Sequence, residues 1–165
     1  MAAIETAGSC NPATSPGRVL LVDDEPELRR LLRRSLVRVG FEVVEASHGR
    51  AALELARQTS FDVVISDVRM PCMGGLELLE RLQLEEPALP VVLMSGSTEL
   101  PNRQSAVDLG AFDYLPKPIT LAEIETVALA AVAQHRNGAE RPSAERESYE
   151  RLQSALPVVA TGSER

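Results

Sequence analysis

Tryptophan is absent from the 165 residues, and aromatic side chains make up only 3% of them. A core must then be built from Val, Leu, Ile and Ala, a palette that suits helices packed on a β-branched sheet. Cysteine is scarce as well. Cys10 and Cys72 stand far apart and offer neither a disulfide framework nor a zinc-type spacing, so both read as free thiols in a reducing compartment. No apolar run approaches the roughly 18 residues that suggest a membrane span, and the N-terminus lacks a basic segment leading into an apolar one. The expectation is a soluble, cytoplasmic protein with no membrane partner. Positive charge is in deficit: 17 Lys and Arg face 24 Asp and Glu, for a formal net charge of −7. Nucleic-acid affinity rests largely on cations that neutralise phosphates, so direct nucleic-acid binding is not expected of this domain, a local basic patch aside.

What is present is a series of short apolar runs, and the length suits one well-buried domain with flexible ends. Residues 1–17 are small and polar, with Pro12 and Pro16, and read as a disordered arm. Arg18-Val19-Leu20-Leu21-Val22 ends in Asp23-Asp24-Glu25-Pro26, a buried strand followed by a tight loop and a Pro early in a helix. That helix places Leu28, Leu31, Leu32, Leu36 and Val39 on one face and stops at Gly40. A second strand over 41–46 leads to a short helix over 49–57, with Ala52, Leu53 and Ala56 inward. Phe61-Asp62-Val63-Val64-Ile65-Ser66-Asp67 has no helical spacing and reads as a third strand that delivers Asp67 to a sheet edge, ahead of the Pro71 loop. The helix over 75–86 buries Leu76, Leu78, Leu79 and Leu82, and a strand over 90–94 runs into Ser95-Gly96-Ser97. A weaker helix spans 99–109, with Pro101 in its first turn and Gly110 closing it. The fifth strand covers 111–115, and Thr120 with Glu123 forms a capping box for a helix over 121–134. Five strands alternating with five helices predict a parallel sheet covered on both faces through right-handed crossovers.

Parallel connectivity brings all the strand ends to one edge, where open α/β sheets place their ligands. Asp23, Asp24, Asp67, Ser95 and Lys117 arrive there together. A single strand-ending Asp is as readily a cap for the next turn, so Asp67 gains its meaning from this company. Crowded carboxylates repel one another by roughly 1 to 4 kcal/mol per close pair at surface-like dielectric, a cost that a cation removes. Without His or Cys in the set the cation is a hard one, Mg2+ before zinc, with Mn2+ as an alternative. A metal, a Lys and a hydroxyl facing one carboxylate meet the needs of phosphoryl transfer to that carboxylate.

Leu20-Leu21-Val22-Asp23-Asp24-Glu25, Ser66-Asp67-Val68-Arg69-Met70-Pro71, Leu93-Met94-Ser95-Gly96 and Tyr114-Leu115-Pro116-Lys117-Pro118 together resemble the receiver domain of two-component response regulators, in order and in spacing, from about Arg18 to Gln134. The resemblance implies an α/β, flavodoxin-like (βα)5 doubly wound parallel five-stranded sheet of order 2-1-3-4-5 over residues 18–135. It implies that Asp67 is the phosphoacceptor, served by a sensor histidine kinase or a phosphotransfer protein. Asp24, Asp67 and the backbone carbonyl of Arg69 would bind Mg2+, with Asp23 acting through water. Lys117 would hold phosphoryl oxygens, and its bond to Pro118 would be cis, against a general X–Pro frequency of about 5–6%. Ser95 would swing toward the phosphate, Tyr114 would turn inward, and the change would appear on the fourth helix, fifth strand and fifth helix. Arg69 and Ser97 would border the path of attacking water and tune the phosphoryl lifetime. Such a domain takes phosphate from donors and hydrolyses its own acyl phosphate, and is not a multi-turnover enzyme in the usual sense.

Other features keep two readings each. Arg29, Arg30, Arg33, Arg34 and Arg38 crowd the first helix, as a solvated face or as a docking surface for the kinase. Cys72 lies close to Asp67 but has no evident basic neighbour to activate it. Residues 136–165 form a polar linker or tail, in which Tyr149, Leu152 and Leu156 hint at a short amphipathic turn. No output signature follows, so the expected partner is a separate effector protein or an output domain beyond Arg165, with phosphorylation-dependent homodimerisation as a further expectation. The competing function is a non-phosphorylated pseudo-receiver that serves only as a protein-interaction module. A stand-alone phosphatase or nucleotide-binding enzyme of similar fold fits poorly, because no Gly-rich phosphate loop follows the first strand.

Overall fold

The structure is a computed structural model that describes residues 15–96 and 103–139. In chain order it comprises β1 (Arg18–Val22), α1 (Pro26–Val39), β2 (Glu42–Ala46), α2 (Gly49–Gln58), β3 (Val63–Asp67), α3 (Gly75–Glu85), β4 (Val91–Ser95), α4 (Arg103–Asp108), β5 (Asp113–Pro116) and α5 (Leu121–Ala139). All strand pairs are parallel, and the sheet order is β2-β1-β3-β4-β5. Val22 lies opposite Ala46 and Ser66, Asp67 opposite Met94, and Ser95 opposite Pro116, so the strands end in step on one edge.

Successive side chains of a strand point to opposite faces, and here the alternation divides the interior in two. Leu20, Val22, Val64, Val91 and Leu93 face α2, α3 and α4. Val19, Leu21, Val63, Ile65, Val92 and Met94 face α1 and α5. Both faces being covered, β3 and β4 are buried along their whole length, which is why they read as continuous apolar runs.

Helix ends follow from local chemistry. Pro26 occupies the start of α1, and Gly40 closes it with a left-handed φ of 107°. At the start of α5 the Thr120 hydroxyl accepts the Glu123 N–H at 3.2 Å, while the Glu123 carboxylate accepts the Thr120 N–H at 2.8 Å, the reciprocal box read from the sequence. Four expectations need adjustment. Leu31 is 49% exposed, because the stripe formed by Leu28, Leu32, Leu36 and Val39 leaves it beyond the edge of the packed face. The fifth strand begins at Asp113, after Phe112 has bonded through its N–H to the Val91 carbonyl at 2.8 Å. The described part of α4 is Arg103–Asp108; the expected start at Glu99 and Pro101 lies outside the described residues. The fifth helix passes through Asn137-Gly138, although Gly costs about 1 kcal/mol within a helix. Two contacts hold that end: a His135 ring nitrogen meets the Ala88 carbonyl at 2.9 Å, and Arg136 lies 3.7 Å from Asp62. No helix among the described residues is long and apolar enough to cross a membrane.

Candidate functional site

Asp23 follows β1 directly and is fully buried. Its Oδ1 accepts the Glu25 N–H at 2.8 Å, and its Oδ2 lies 3.4 Å from Lys117 Nζ. Asp67 ends β3 and is 6% exposed, with Oδ1 3.0 Å from the same Nζ. Asp24 is exposed at the rim. One carboxylate oxygen from each of Asp23, Asp24 and Asp67 lies within 4.8 Å of the other two.

Lys117 reaches this cluster because its backbone is tethered. Its N–H donates to the Ser95 carbonyl at 2.8 Å, and its peptide bond to Pro118 is cis, as expected. Ser95 ends β4 and is fully buried. Tyr114 is 8% exposed and packs into the α2–α3–α4 side of the core, so its ring already occupies the inward position. Arg69 is exposed in the loop after β3, and Ser97 lies outside the described residues. Cys72, in the same loop as Arg69, is exposed with a φ of 70°.

The electrostatics of the cluster are one-sided. Burial pushes the Asp67 carboxyl above its ordinary range; the Lys117 hydrogen bond and charge pull it back only in part, and Asp23 and Asp24 add to the upward push. Burial alone would lower Lys117, but its hydrogen bond to Asp67 and the charges of Asp23 and Asp67 outweigh that and raise it. The one ammonium pairs with two of the three carboxylates, Asp23 and Asp67, so the cluster retains net negative charge. An all-oxygen, anionic donor set of this kind fits a hard divalent cation.

Four residues around the cluster were not singled out as site residues in the sequence. Arg29 Nη1 donates to the Asp23 carbonyl at 2.6 Å, and Arg29 Nε donates to Glu45 Oε1 at 3.2 Å. The Ser66 hydroxyl donates to the Asp67 carbonyl at 3.0 Å. A Cβ on Gly75 would stand 2.2 Å from that same carbonyl oxygen, so only Gly lets α3 start so close to β3. The available signal for Arg29 was its place in the first turn of a helix, where an acid is the expected charge.

Known proteins are similar to this chain in sequence and in fold. The pattern of the response regulator receiver domain matches residues 19–129. Regulatory protein AtoC of Escherichia coli K12 is 39% identical over 119 residues, covering 72% of this chain and 26% of AtoC. Transcriptional activator protein PfeR of Pseudomonas aeruginosa is 44% identical over 108 residues, covering 66% of this chain and 35% of PfeR. The chain therefore spans only a minor part of the length of these curated relatives. The crystal structure of a response regulator receiver domain protein from Clostridium thermocellum superposes with a TM-score of 0.68 at 30% identity, covering 72% of this chain and 96% of that one. With 111 consecutive residues matching and the sheet order in agreement, the chain belongs to the response regulator receiver domain family.

Proposed function

We propose that this receiver domain is a phosphorylation switch in which Asp67 accepts a phosphoryl group from the phosphohistidine of a sensor kinase or phosphotransfer protein. The observation that carries the reading is the convergence of Asp67, Asp23, Asp24 and Lys117, with Lys117 Nζ 3.0 Å from the acceptor oxygen. In the transfer an Asp67 oxygen bonds to phosphorus as the phosphorus–nitrogen bond breaks, and the electron pair leaves with the imidazole. Asp24, Asp67 and the Arg69 backbone carbonyl would hold Mg2+, with Asp23 acting through water. The chemistry a bound Mg2+ supplies is charge neutralisation at the phosphoryl oxygens. Lys117 holds one of those oxygens, and Ser95 holds another once it swings toward the phosphate.

Phosphorylation adds about −1.5 to −2 charge at Asp67, and the new contacts favour the rearranged loops. The output face is α4, β5 and α5. A change from 1:99 to 99:1 requires roughly 5.5 kcal/mol of differential interaction. Arg69 and Ser97, two positions beyond Asp67 and Ser95 in the sequence, tune how long the acyl phosphate lasts. The effector, joined to this domain or separate, reads that face. A pseudo-receiver has no need of a Lys paired with a buried Asp beside two further acids, and no observation favours that reading. Intact-protein mass spectrometry with acetyl phosphate tests the proposal. A gain of one phosphoryl group that needs Mg2+ and vanishes in Asp67→Asn is expected; an unmodified, folded wild type overturns it.

A further inference from the structure

Arg29 stands at the fourth position of α1, where the helix dipole and the unpaired N–H groups of the first turn disfavour a cation. Its side chain is nevertheless 19% exposed, turned back under the loop that follows β1. There Nη1 donates to the Asp23 carbonyl at 2.6 Å, and Nε donates to Glu45 Oε1 at 3.2 Å. Glu45 sits on β2, and its other oxygen pairs with Arg33 at 3.3 Å. The guanidinium thus ties three elements together: the start of α1, the end of β1 and the neighbouring strand β2.

The carbonyl it grips belongs to the peptide that joins Asp23 to Asp24. A peptide unit is planar, so holding its oxygen fixes the direction in which the Asp24 Cα leaves. Asp23 has other anchors, since its N–H donates to the Ala46 carbonyl at 3.2 Å and its Oδ1 accepts the Glu25 N–H at 2.8 Å. Asp24 is exposed, and burial does not hold it. We propose that Arg29 is a positioning residue that fixes the Asp23–Asp24 peptide, so that both carboxylates converge with Asp67 on one divalent cation. The inference deepens the proposed Mg2+-dependent function and rests on it.

The sign of the effect separates positioning from simple charge. As a nearby cation, Arg29 repels Mg2+, and its removal strengthens metal binding. As a positioning residue it organises the ligands, and its removal weakens binding, by roughly ten-fold for an outer-shell partner of this kind. Mg2+ titration of the full chain by calorimetry, without phosphodonor, therefore decides between them in wild type, Arg29→Gln, Arg29→Lys and Arg33→Gln. Arg33 pairs with the same Glu45 but is 46% exposed, so it controls for charge. The expected result is a roughly ten-fold loss in Arg29→Gln, partial rescue in Arg29→Lys, which keeps charge without the planar fork, and no loss in Arg33→Gln. Equal or tighter binding by a folded Arg29→Gln overturns the inference. Should Arg29→Gln not fold, Arg29→Lys, which keeps the charge but not the planar fork that reaches both the Asp23 carbonyl and Glu45, must weaken binding by itself, and unchanged binding in it overturns the inference. If wild type itself binds no Mg2+, the proposed function fails, and the positioning role is then read from hydrogen exchange at the Glu25 amide. Faster exchange there in Arg29→Gln supports it, and unchanged exchange overturns it.

Discussion

Asp67 carries its charge in a place that resists charge. Its carboxyl is held above the ordinary range, chiefly by burial, so the folded state favours the protonated acid more than the unfolded chain does. By linkage, the stability tied to this proton is fully present below the ordinary carboxylate pKa and is lost as pH rises through the raised value. At pH 7, without divalent cation, ionised Asp67 is therefore a net cost. Asp67→Asn should be more stable than wild type in urea unfolding at pH 7, with the gap closing as pH falls toward 4; a less stable variant at pH 7 contradicts this balance. Glu123 shows the opposite sign. The Thr120 hydroxyl and N–H lower its carboxyl, so the cap of α5 is at full strength above the ordinary glutamate value and weakens as pH falls below it. Gly75 makes a steric demand at the same site. Its Cβ position is 2.2 Å from the Asp67 carbonyl oxygen, so Gly75→Ala forces α3 away from β3. We expect a loss of about 1–3 kcal/mol in denaturant unfolding, together with slower phosphorylation of Asp67.

At the scale of elements, α1 brings two kinds of arginine to the molecule. Arg29 turns inward to the Asp23 carbonyl, while Arg30 and Arg38 are 70% and 71% exposed. Arg30 and Arg34 border a shallow depression of about 520 Å3, which Leu28 and the displaced Leu31 also line. If this face docks the kinase, charge reversal of Arg30 and Arg34 slows phosphotransfer from the kinase and spares transfer from acetyl phosphate; equal slowing of both removes the docking role. The sequence made most of the elements legible, because β-branched runs ending in Asp or Gly leave little choice of strand, and Pro26, Gly40 and the Thr120–Glu123 pair mark helix ends chemically. It made the cluster legible because parallel strands must deliver their last residues to one edge. Arg29 was hidden there for a physical reason. Its partners are a backbone carbonyl six residues back and a carboxylate on another strand, and neither leaves a periodic trace. The inward placement of Tyr114 is a choice of side-chain rotamer within a given strand, and residue order does not encode it.

For the whole molecule, a five-stranded sheet with two cores is a rigid stage on which one edge is left electrostatically unfinished. On the proposed function, a cation that binds only the folded chain would complete that edge and stabilise the fold by mass action. At a free Mg2+ concentration about ten times the dissociation constant, the gain is about 1.4 kcal/mol. Thermal or urea unfolding should show it in wild type, and Asp67→Asn should lose most of it; an equal gain in both would place the cation elsewhere. The central claim is that all of this organisation serves one oxygen on one residue. Borohydride reduction of the protein after treatment with acetyl phosphate and Mg2+, followed by peptide mass mapping, tests it most directly, because an aspartyl phosphate is reduced to homoserine where it stood. Homoserine is expected at residue 67 alone. Homoserine at residue 23 or 24, or at no position in a folded and Mg2+-bound protein, would contradict it.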